Sequence, residues 1–373
     1  MISSIAEHRL RNQFIARASR RTPADIVRWF GAVQAQEYGP AKWALGLRAR
    51  AGTTDDDVQQ ALDEGRIVRT HAMRPTWHFV AAEDCRWLLE LTAPQVRKRM
   101  AVYDRRIGLE TPVMKRGTAI IERALRDRQY LTRVELRERL ARAGMKLDTV
   151  RVAHLTLWAE LERVICSGPR RGKQSTYALV DERVPAAPPR ARDEAIAELA
   201  RRYFQSHGPA TIRDFVWWSG LSTPDAKRGV EMIRARREEV GGLTYWALDS
   251  ARARPPGAAP RGAAKDGTVH LLPIYDEYLV AYRDRVAVPH HAGAMMSFRA
   301  RAPFAFLHAL VVDGQVAGTW RAIDRGRSMT VEVVPLRRLT PRDRRELDDA
   351  AEGYGRFTGT SVSMSVMKTI RDH

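Results

Sequence analysis

The sequence predicts an α+β protein with three similar helix-rich units followed by a C-terminal β domain. The chain has 373 residues, which is enough for two or three domains with their own hydrophobic cores. One pattern occurs three times along it: short amphipathic helices, then two β-rich segments joined by a polar turn. Beyond residue 268 the segments are mostly strand-like and are separated by polar turns.

The first unit is expected over residues 1–110. Thr22-Pro23-x-Asp25 is typical of a helix start, because threonine caps the first amide groups and proline suits the first turn. A second helix is expected after Pro40 and a third after Thr54. A β-hairpin follows over residues 67–80, where β-branched and aromatic residues surround a polar turn.

The second unit, residues 111–190, has the clearest pattern. Thr132-x-x-Glu135 is a capping box that opens its second helix. Leu155 and Leu161 lie on one apolar stripe of its third helix. Two strands then enclose the basic turn Gly168–Gln174. Three helices followed by a two-stranded basic hairpin is the order of elements in a winged helix.

The third unit, residues 191–250, repeats this order. A helix over its first residues is expected to end at Gly208-Pro209. Thr211-x-x-Asp214 and Ser222-x-x-Asp225 are caps of two further helices. Leu243–Trp246 is strand-like. The three units therefore predict three tandem winged helices.

The last part of the chain differs from the three units. Residues 251–267 are rich in Ala, Arg, Pro and Gly, a composition typical of a linker or long loop. Residues 268–373 are expected to form a β domain. Its strands lie on both sides of an Asp313-Gly314 turn, which is a strong hairpin signal. Its terminal helix is capped at Thr340-Pro341.

The chain carries a large excess of positive charge. It has 63 Lys and Arg residues against 44 Asp and Glu, which gives a net charge of +19. Codon bias accounts for a preference for Arg over Lys, but not for the excess of basic over acidic residues. Such an excess favours a polyanionic partner, either nucleic acid or an anionic membrane surface. No apolar run reaches the roughly 18 residues that a membrane span needs, and no strongly amphipathic basic helix is apparent, so nucleic acid is favoured.

Several other classes of protein find no support in the sequence. Cys85 and Cys166 have no metal-ligand or redox spacing, so we expect reduced thiols in the core. The N-terminus lacks the basic and apolar segments of a signal peptide. Gly-rich phosphate loops, His-x-x-x-His helices and Cys clusters are absent from the sequence. We therefore expect a cytoplasmic protein with neither a cofactor nor a bound metal.

Gln34-Ala35-Gln36 is the first candidate site. Tyr38-Gly39-Pro40 indicates that the preceding helix has ended, and in an extended backbone both glutamine side chains point the same way. A neutral amide can hold a water molecule or a sugar oxygen, but it is not a strong base. The alternative is a polar helix end whose amides bond free carbonyl groups, and the residues alone favour that alternative.

The hairpin of the first unit is the second candidate. Strand alternation places Arg69 and His71 on one face, and Trp77 and Phe79 share a face of the return strand. Arginine beside aromatic rings suits phosphate binding and base stacking. The alternative is that the aromatic rings pack on the helices of their own unit, which is favoured for Trp77 and Phe79. For His71 and His78 both interpretations stay open.

Asp276-Glu277 is the third candidate. These adjacent carboxylates could complete an active site, or they could pair with Arg283 and Arg285 and brace the β domain. Their spacing allows local pairing, and structural ion pairs are common, so bracing is favoured. Trp217-Trp218 is expected to plug the core between units.

Five short motifs follow one another in an order that resembles one known family, the AlkZ-like bacterial winged-helix DNA glycosylases. Each motif is loose alone, but their order is specific, and the resemblance spans roughly Ile15 to Tyr354. The motifs are Val33-Gln-Ala-Gln-Glu37, Met73-Arg-Pro-Thr-Trp-His-Phe79, Trp217-Trp-Ser-Gly-Leu221, Asp276-Glu-Tyr-Leu279 and Val316-Ala-Gly-Thr-Trp320.

The resemblance implies a C-shaped protein whose basic concave face holds double-stranded DNA. Its branch with the motif Gln-apolar-Gln unhooks crosslinks, so Gln34 and Gln36 are implied to be catalytic. The expected activity is that of a monofunctional DNA N-glycosylase that hydrolyses N7-alkylated purines, extends to interstrand crosslinks, and uses a water molecule positioned by the glutamines. The protein is expected to act as a monomer at the nucleoid.

Other residues are expected to assist. Candidates for a supporting role in catalysis are Glu37, His71, His78, Asp276 and Glu277. Candidates for DNA binding are Arg69, Arg74, Arg170, Arg171, Lys173, Arg283 and Arg285.

The rival hypothesis is a non-enzymatic winged-helix DNA-binding protein, such as a transcriptional regulator. It requires a recognition helix with several base-reading side chains and usually two-fold symmetry. The helix after Thr149 offers Arg151 and His154 but few other such groups. This scarcity counts against a regulator.

Overall fold

Five stretches of the chain are described by a computed structural model: residues 2–16, 19–248, 269–284, 307–326 and 328–367. The linker expected over residues 251–267 lies outside the described residues, and so does Arg285. Within these stretches helices and strands are mixed, as the sequence predicts for an α+β protein.

The first unit combines short helices with a small sheet. In this sheet the two-residue strand β1 pairs with the second strand of the hairpin, which gives the order β1-β3-β2. The elements are α1 (Ile2–Asn12), α2 (Pro23–Phe30), β1 (Val33–Gln34), α3 (Tyr38–Arg48), α4 (Asp55–Asp63), β2 (Ile67–His71), β3 (Trp77–Ala81), a 3₁₀ turn (Ala82–Asp84) and α5 (Cys85–Arg106).

The second unit repeats this order of helix, short strand, two helices and hairpin. Its sheet has the matching order β4-β6-β5. The elements are α6 (Thr111–Leu125), β4 (Leu131–Thr132), α7 (Arg133–Arg142), α8 (Thr149–Leu161), β5 (Ile165–Ser167), β6 (Thr176–Leu179) and the short α9 (Val180–Arg183).

The third unit follows the same order with one simplification. A single bridge between Ala210 and Trp246 takes the place of the short first strand. The elements are α10 (Arg192–Ser206), α11 (Ile212–Ser219), α12 (Thr223–Met232), β7 (Arg236–Val240) and β8 (Leu243–Ala247).

The C-terminal region has a five-stranded sheet with the order β13-β12-β11-β10-β9. Its neighbours are antiparallel except for β12 and β13, which are parallel because α14 connects the two strands. The elements are β9 (Val269–Leu272), α13 (Glu277–Val280), β10 (Ala309–Val312), β11 (Gln315–Asp324), β12 (Ser328–Pro335), α14 (Pro341–Thr358) and β13 (Ser361–Val366).

The predicted helix caps are confirmed. In each case the side-chain oxygen accepts a hydrogen bond from the backbone amide three residues later, which satisfies a group that the helix itself leaves unpaired. The capping residues are Thr22, Thr132, Thr211, Ser222 and Thr340.

Other boundaries differ from the sequence prediction. Helix α3 begins at Tyr38 and not after Pro40. Pro40 fits within the first turn because the backbone nitrogens of that turn have no hydrogen-bond acceptor inside the helix. The sequence does not predict α5, β7 or β13. Helix α5 packs against both α8 and α10, so its apolar residues do not form the single stripe that marks an amphipathic helix.

The first unit and the C-terminal sheet share one hydrophobic core. Phe30 and Trp43 lie in the same buried cluster as Leu271, Val331 and Phe357. The indole of Trp43 donates a hydrogen bond to the carbonyl of Leu271 at 2.8 Å. The approach of α14 to α3 is so close that a Cβ at Gly46 would lie 2.3 Å from the ring of Phe357. The two regions therefore hold a fixed geometry relative to each other.

A buried ion pair joins the same two regions. The guanidinium of Arg48, at the end of α3, donates to both carboxylate oxygens of Asp276 at 2.8 and 2.6 Å. Both side chains are almost fully buried. Asp276 also caps α13 by accepting the amide of Tyr278. This pair fixes the start of α13, where Glu277 lies.

We expect Asp276→Asn to destabilise the protein by about 3–5 kcal/mol, because it leaves the Arg48 charge buried without its partner. Asparagine caps a helix as well as aspartate does, so the change isolates the lost ion pair. Denaturant unfolding measures the effect. The matched control is Arg356→Gln in the exposed pair with Glu352, which should cost less than about 1 kcal/mol. Equal effects of the two changes would contradict a dominant role for the buried pair.

Candidate active site

The Gln34-Ala35-Gln36 segment begins in the edge strand β1 of the first unit's sheet and continues beyond its end. Gln34 is opposite His78 in the antiparallel register, and the amide of Ala35 donates to the carbonyl of Trp77 at 2.7 Å. Helix α2 has already ended at Phe30. The interpretation of the glutamines as a polar helix end is therefore wrong. Extended backbone is present at Gln34, whereas Gln36 lies in a bend beyond the strand.

The side chain of Gln34 is held in one orientation. Arg74 donates a hydrogen bond from Nη2 to Oε1 of Gln34 at 2.7 Å. A guanidinium can only donate, so the amide oxygen faces Arg74 and the amide nitrogen faces away from it. The backbone amide of Gln34 donates to Oε1 of Glu277 at 2.7 Å. Gln34 is thus a buried, oriented hydrogen-bond donor.

Gln36 has a freer side chain on a fixed backbone. Arg69 donates to the carbonyls of Ala35 and Gln36, at 3.0 and 3.1 Å. The side-chain oxygen of Gln36 receives one long bond, at 3.4 Å, from the amide of Trp77. The side chain is exposed to solvent. Gln36 therefore offers an accessible acceptor beside the donor of Gln34.

Glu277 is a buried carboxylate behind this segment. Its Oε2 accepts from the indole of Trp218 at 2.9 Å and lies 3.2 Å from Nε2 of His207. Burial acts to raise the pKa of Glu277, but His207, the Gln34 amide and the Arg74 charge together lower it below its ordinary value. Glu277 is therefore ionised and draws donors from three parts of the chain.

The local ion pairs expected for Asp276 and Glu277 are not formed with Arg283. Asp276 pairs with Arg48, 228 residues away in the sequence. The backbone amide of Arg283 donates to Asp214, and its guanidinium lies 5.4 Å from the ring of Trp217. Asp276 does form a bracing ion pair, but the predicted pairing with Arg283 is wrong, because the partner comes from a distant helix.

The two histidines of the hairpin have different surroundings. Nδ1 of His71 lies 2.5 Å from Oε2 of Glu160, and its ring contacts that of Trp77 at a tilt of 41°, with 4.0 Å between centroids. His78 is fully buried, and neither ring nitrogen has a partner among the described residues. Burial, with a smaller contribution from Arg74, lowers the pKa of His78 to about 3. His78 is therefore neutral.

The predicted DNA-binding residues divide into two groups around the glutamines. On one side Arg74 and Arg283 lie over Trp217, 5.9 and 5.4 Å from its ring. Beside them is a cavity of about 400 Å³ lined by Trp217 and Arg283. On the other side a cavity of about 330 Å³ is lined by Arg69 and Arg170. The glutamine segment lies between these two basic, aromatic surfaces.

Three of the remaining candidates are solvent-exposed. Glu37 is exposed at the start of α3 without capping it by its side chain. Arg171 pairs with Glu135, and Lys173 is exposed on the same hairpin. These positions leave their predicted roles open.

Three comparisons with known proteins bear on this site. The family model for DNA glycosylase AlkZ-like proteins matches residues 27–357. The chain belongs to the AlkZ-like DNA glycosylase family. An interstrand DNA cross-link repair glycosylase of Streptomyces sahachiroi is 26% identical over 336 residues, which covers 85% of this chain and 86% of that protein. The solved structure of Streptomyces sahachiroi DNA glycosylase AlkZ superimposes with a TM-score of 0.79 and 22% identity, over 98% of this chain and 99% of that chain.

In this AlkZ-like chain, sequence reasoning missed two residues that contact Glu277. His207 lies between Glu277 and Ser206, and its neutral form donates to the carboxylate because burial lowers its pKa. Trp218 is a core residue, as predicted, but its indole also bonds Glu277. The only signal in the sequence was a histidine placed just before Gly208-Pro209, and a lone histidine is a weak signal.

Two further findings concern the described residues of this AlkZ-like chain. Within the five described stretches, no helix is long and apolar enough to cross a membrane. In the same stretches no group of three or more His, Cys, Asp or Glu side chains is placed to hold a metal ion. Cys85 and Cys166 are free thiols in the core, as predicted, and burial raises the pKa of Cys166 to about 12.

The buried His78 predicts a pH dependence of stability. An unfolded histidine takes up a proton below about pH 6.5, whereas the folded protein keeps His78 neutral down to about pH 3. Its contribution is therefore increasingly unfavourable as the pH falls through this window. His78→Phe should remove it, so that the loss of unfolding free energy between pH 7 and pH 5 is about 2 kcal/mol smaller than in the wild type. Denaturant titrations at both pH values measure this, and identical losses would contradict it.

Proposed function

We propose that this chain is a DNA repair glycosylase that hydrolyses the N-glycosidic bond of N7-alkylated purines and also unhooks interstrand crosslinks. The observation that carries the proposal is the pair of glutamines, one an oriented donor and one an accessible acceptor, the first of which is bound through its backbone amide to an ionised carboxylate. Membership of the AlkZ-like family and the name of the Streptomyces sahachiroi relative support it.

The chemistry requires little acid or base. A purine alkylated at N7 is positively charged, so it leaves with the electron pair of the N9–C1′ bond without prior protonation. The sugar then resembles an oxocarbenium ion, which a water molecule attacks at C1′. The amide nitrogen of Gln34 donates a hydrogen bond to this water, and Oε1 of Gln36 accepts a hydrogen bond from it. As the C1′–O bond forms, one proton of the water is lost to solvent and the other stays on the new hydroxyl group.

Glu277 acts as a positioning residue in this proposal. It is buried, and its carboxylate accepts the backbone amide of Gln34. His207 and Trp218 hold it in place. Arg74 orients the side chain of Gln34 in the same way. Glu37 and His71 remain candidates for a supporting role.

One structural feature supports the DNA-bound part of the proposal, and another supports a monofunctional enzyme. The repeated order of helices and hairpins in the three units fits three tandem winged helices. We propose that their basic surfaces line one concave face that holds double-stranded DNA. Among the described residues, the side chains that bond Gln34 and Gln36 are those of Arg69, Arg74 and Glu277, and none is an amine that could form a Schiff base. This supports a monofunctional enzyme, which we place in the cytoplasm as a monomer at the nucleoid.

The decisive experiment uses a duplex with a single N7-methylguanine under single-turnover conditions. Abasic sites are revealed by alkaline strand cleavage. We expect Gln34→Ala and Gln36→Ala each to slow their formation by about 100-fold, in the range seen when one transition-state hydrogen bond is removed. Gln60→Ala is the matched control, because Gln60 is exposed on α4 and bonds only Glu64 there. It should react at the wild-type rate.

Crosslinked duplexes extend the same assay. A nitrogen-mustard crosslink should be released by the wild type and not by the two glutamine variants. Absence of abasic sites with the wild type would overturn the proposal, and tight binding to one undamaged sequence would then favour a regulator. Undiminished activity in a Gln34→Ala/Gln36→Ala double variant would overturn the assignment of the glutamines.

A further inference from the structure

A cavity beside Gln36 has the wall of an anion-binding site. It has a volume of about 330 Å³ and lies between the first unit and the hairpin of the second unit. Its lining includes the guanidinium groups of Arg69, Arg133 and Arg170 and contains no aspartate or glutamate. Three positive charges around a space without a carboxylate favour a negatively charged occupant.

These three arginines lack acidic partners among the described residues. Arg69 donates to backbone carbonyls, and Arg133 donates to the hydroxyl of Tyr177. Arg170 donates to the carbonyl of Lys173, and its Nε is buried with no partner. By contrast Arg171, the next residue on the same hairpin, pairs with Glu135. The lining arginines therefore keep a net positive charge that the protein itself does not neutralise.

Nearby carboxylates do not fill the cavity. Oδ1 of Asp63 accepts the backbone amide of Arg170 and the side-chain amide of Gln59. Oε2 of Glu160 accepts the backbone amide of His71 and contacts its ring. Neither residue lines the cavity.

The aromatic rings in the wall indicate a phosphate and not a stacked base. Arg69 lies 4.4 Å from the ring of Trp77, which also contacts His71 with 4.0 Å between centroids. The ring of Tyr38 has Arg170 at 4.6 Å and Arg69 at 5.6 Å. These cations lie against the rings on which a base would stack. The arginines therefore supply the charged part of a wall whose remainder is apolar and hydroxyl-bearing.

The cavity is directly connected to the glutamine segment. Arg69 bonds the carbonyl of Gln36, and the backbone amide of Trp77 lies 3.4 Å from its side-chain oxygen. We propose that this cavity binds one phosphodiester group of the DNA strand that carries the target nucleotide, within about three nucleotides of it. The proposal rests on the proposed function, because it takes DNA as the substrate. It assigns Arg170 and Arg133 to the binding of one defined phosphate. Binding of that phosphate would fix the position of the DNA strand relative to Gln36.

A thermodynamic cycle that combines protein variants with modified DNA phosphates tests this assignment. The probe is a duplex with one 2′-fluoro-N7-methylguanine, whose glycosidic bond resists hydrolysis because fluorine destabilises an oxocarbenium ion. Uncharged methylphosphonates replace the flanking phosphates one at a time, and fluorescence anisotropy measures the dissociation constant. For the wild type we expect one or two positions at which affinity falls about 10-fold, the effect of losing one charged hydrogen bond.

Arg170→Gln should remove most of that positional effect, leaving less than about a 3-fold loss, because the partner of the phosphate is gone. It should also lower the slope of binding against salt concentration by about one charge. Arg171→Gln is the matched control on the same hairpin, and it should keep the full positional effect whatever its overall affinity. If Arg170→Gln keeps the positional effect as well, the phosphate site is overturned.

A second pair of variants protects the test against a folding defect in Arg170→Gln. Ser175 is exposed at the rim of the cavity. Ser175→Asp places a competing carboxylate beside the three arginines and should weaken binding about 10-fold relative to Ser175→Asn, which has the same shape. Equal affinities of these two variants would count against the site.

The outcome is separable from the test of catalysis. Positional coupling without abasic sites on the unfluorinated duplex would support the phosphate site and overturn the glycosylase proposal. Abasic sites without positional coupling would support the glycosylase proposal and overturn the phosphate site.

Discussion

The carboxylate of Glu277 is the contact on which the candidate site depends. It gathers the backbone amide of Gln34, the indole of Trp218 and the imidazole of His207 around one buried charge. An ionised group in the interior is tolerated only when several donors satisfy it. The glutamine segment, the third unit and the start of α13 are therefore fixed relative to one another by a single group. The ion pair of Arg48 with Asp276, one residue earlier, anchors that group to the first unit.

The charged side chains and the side chains proposed to act on the substrate are different residues in this molecule. The arginines around the site donate hydrogen bonds to backbone carbonyls and to the side-chain amide of Gln34, and they lie against aromatic rings. The groups offered to a substrate at the centre are two neutral amides. A cationic leaving group needs no strong acid, so neutral amides are sufficient for the proposed reaction. The net charge of +19 is suited to holding a polyanion, and Arg74 and Arg69 hold the two glutamines in place.

Local sequence signals predicted the local structure well. Each predicted cap residue begins its helix, because capping depends on a threonine or serine and the next few amides only. The order of the helices in the three units was predictable for the same reason, but the short strands β1 and β4 and the strand β7 were not predicted. Helix α5 was not predictable because it is buried on more than one face. Strand β13 was not predicted either, although its serines alternate with Val362, Met364 and Val366, which pack against the core.

The sequence by itself determined the fold class, the three-fold repeat of elements and the glutamine segment with its family resemblance. These features depend on residue types and short spacings, which can be read directly from the sequence. Only the tertiary structure decided the partners of the buried charges. Asp276 pairs with Arg48 and not with the neighbouring Arg283, and Glu277 meets His207. The physical reason is that burial selects the donors that the packed core brings within about 3 Å, whatever their distance along the sequence.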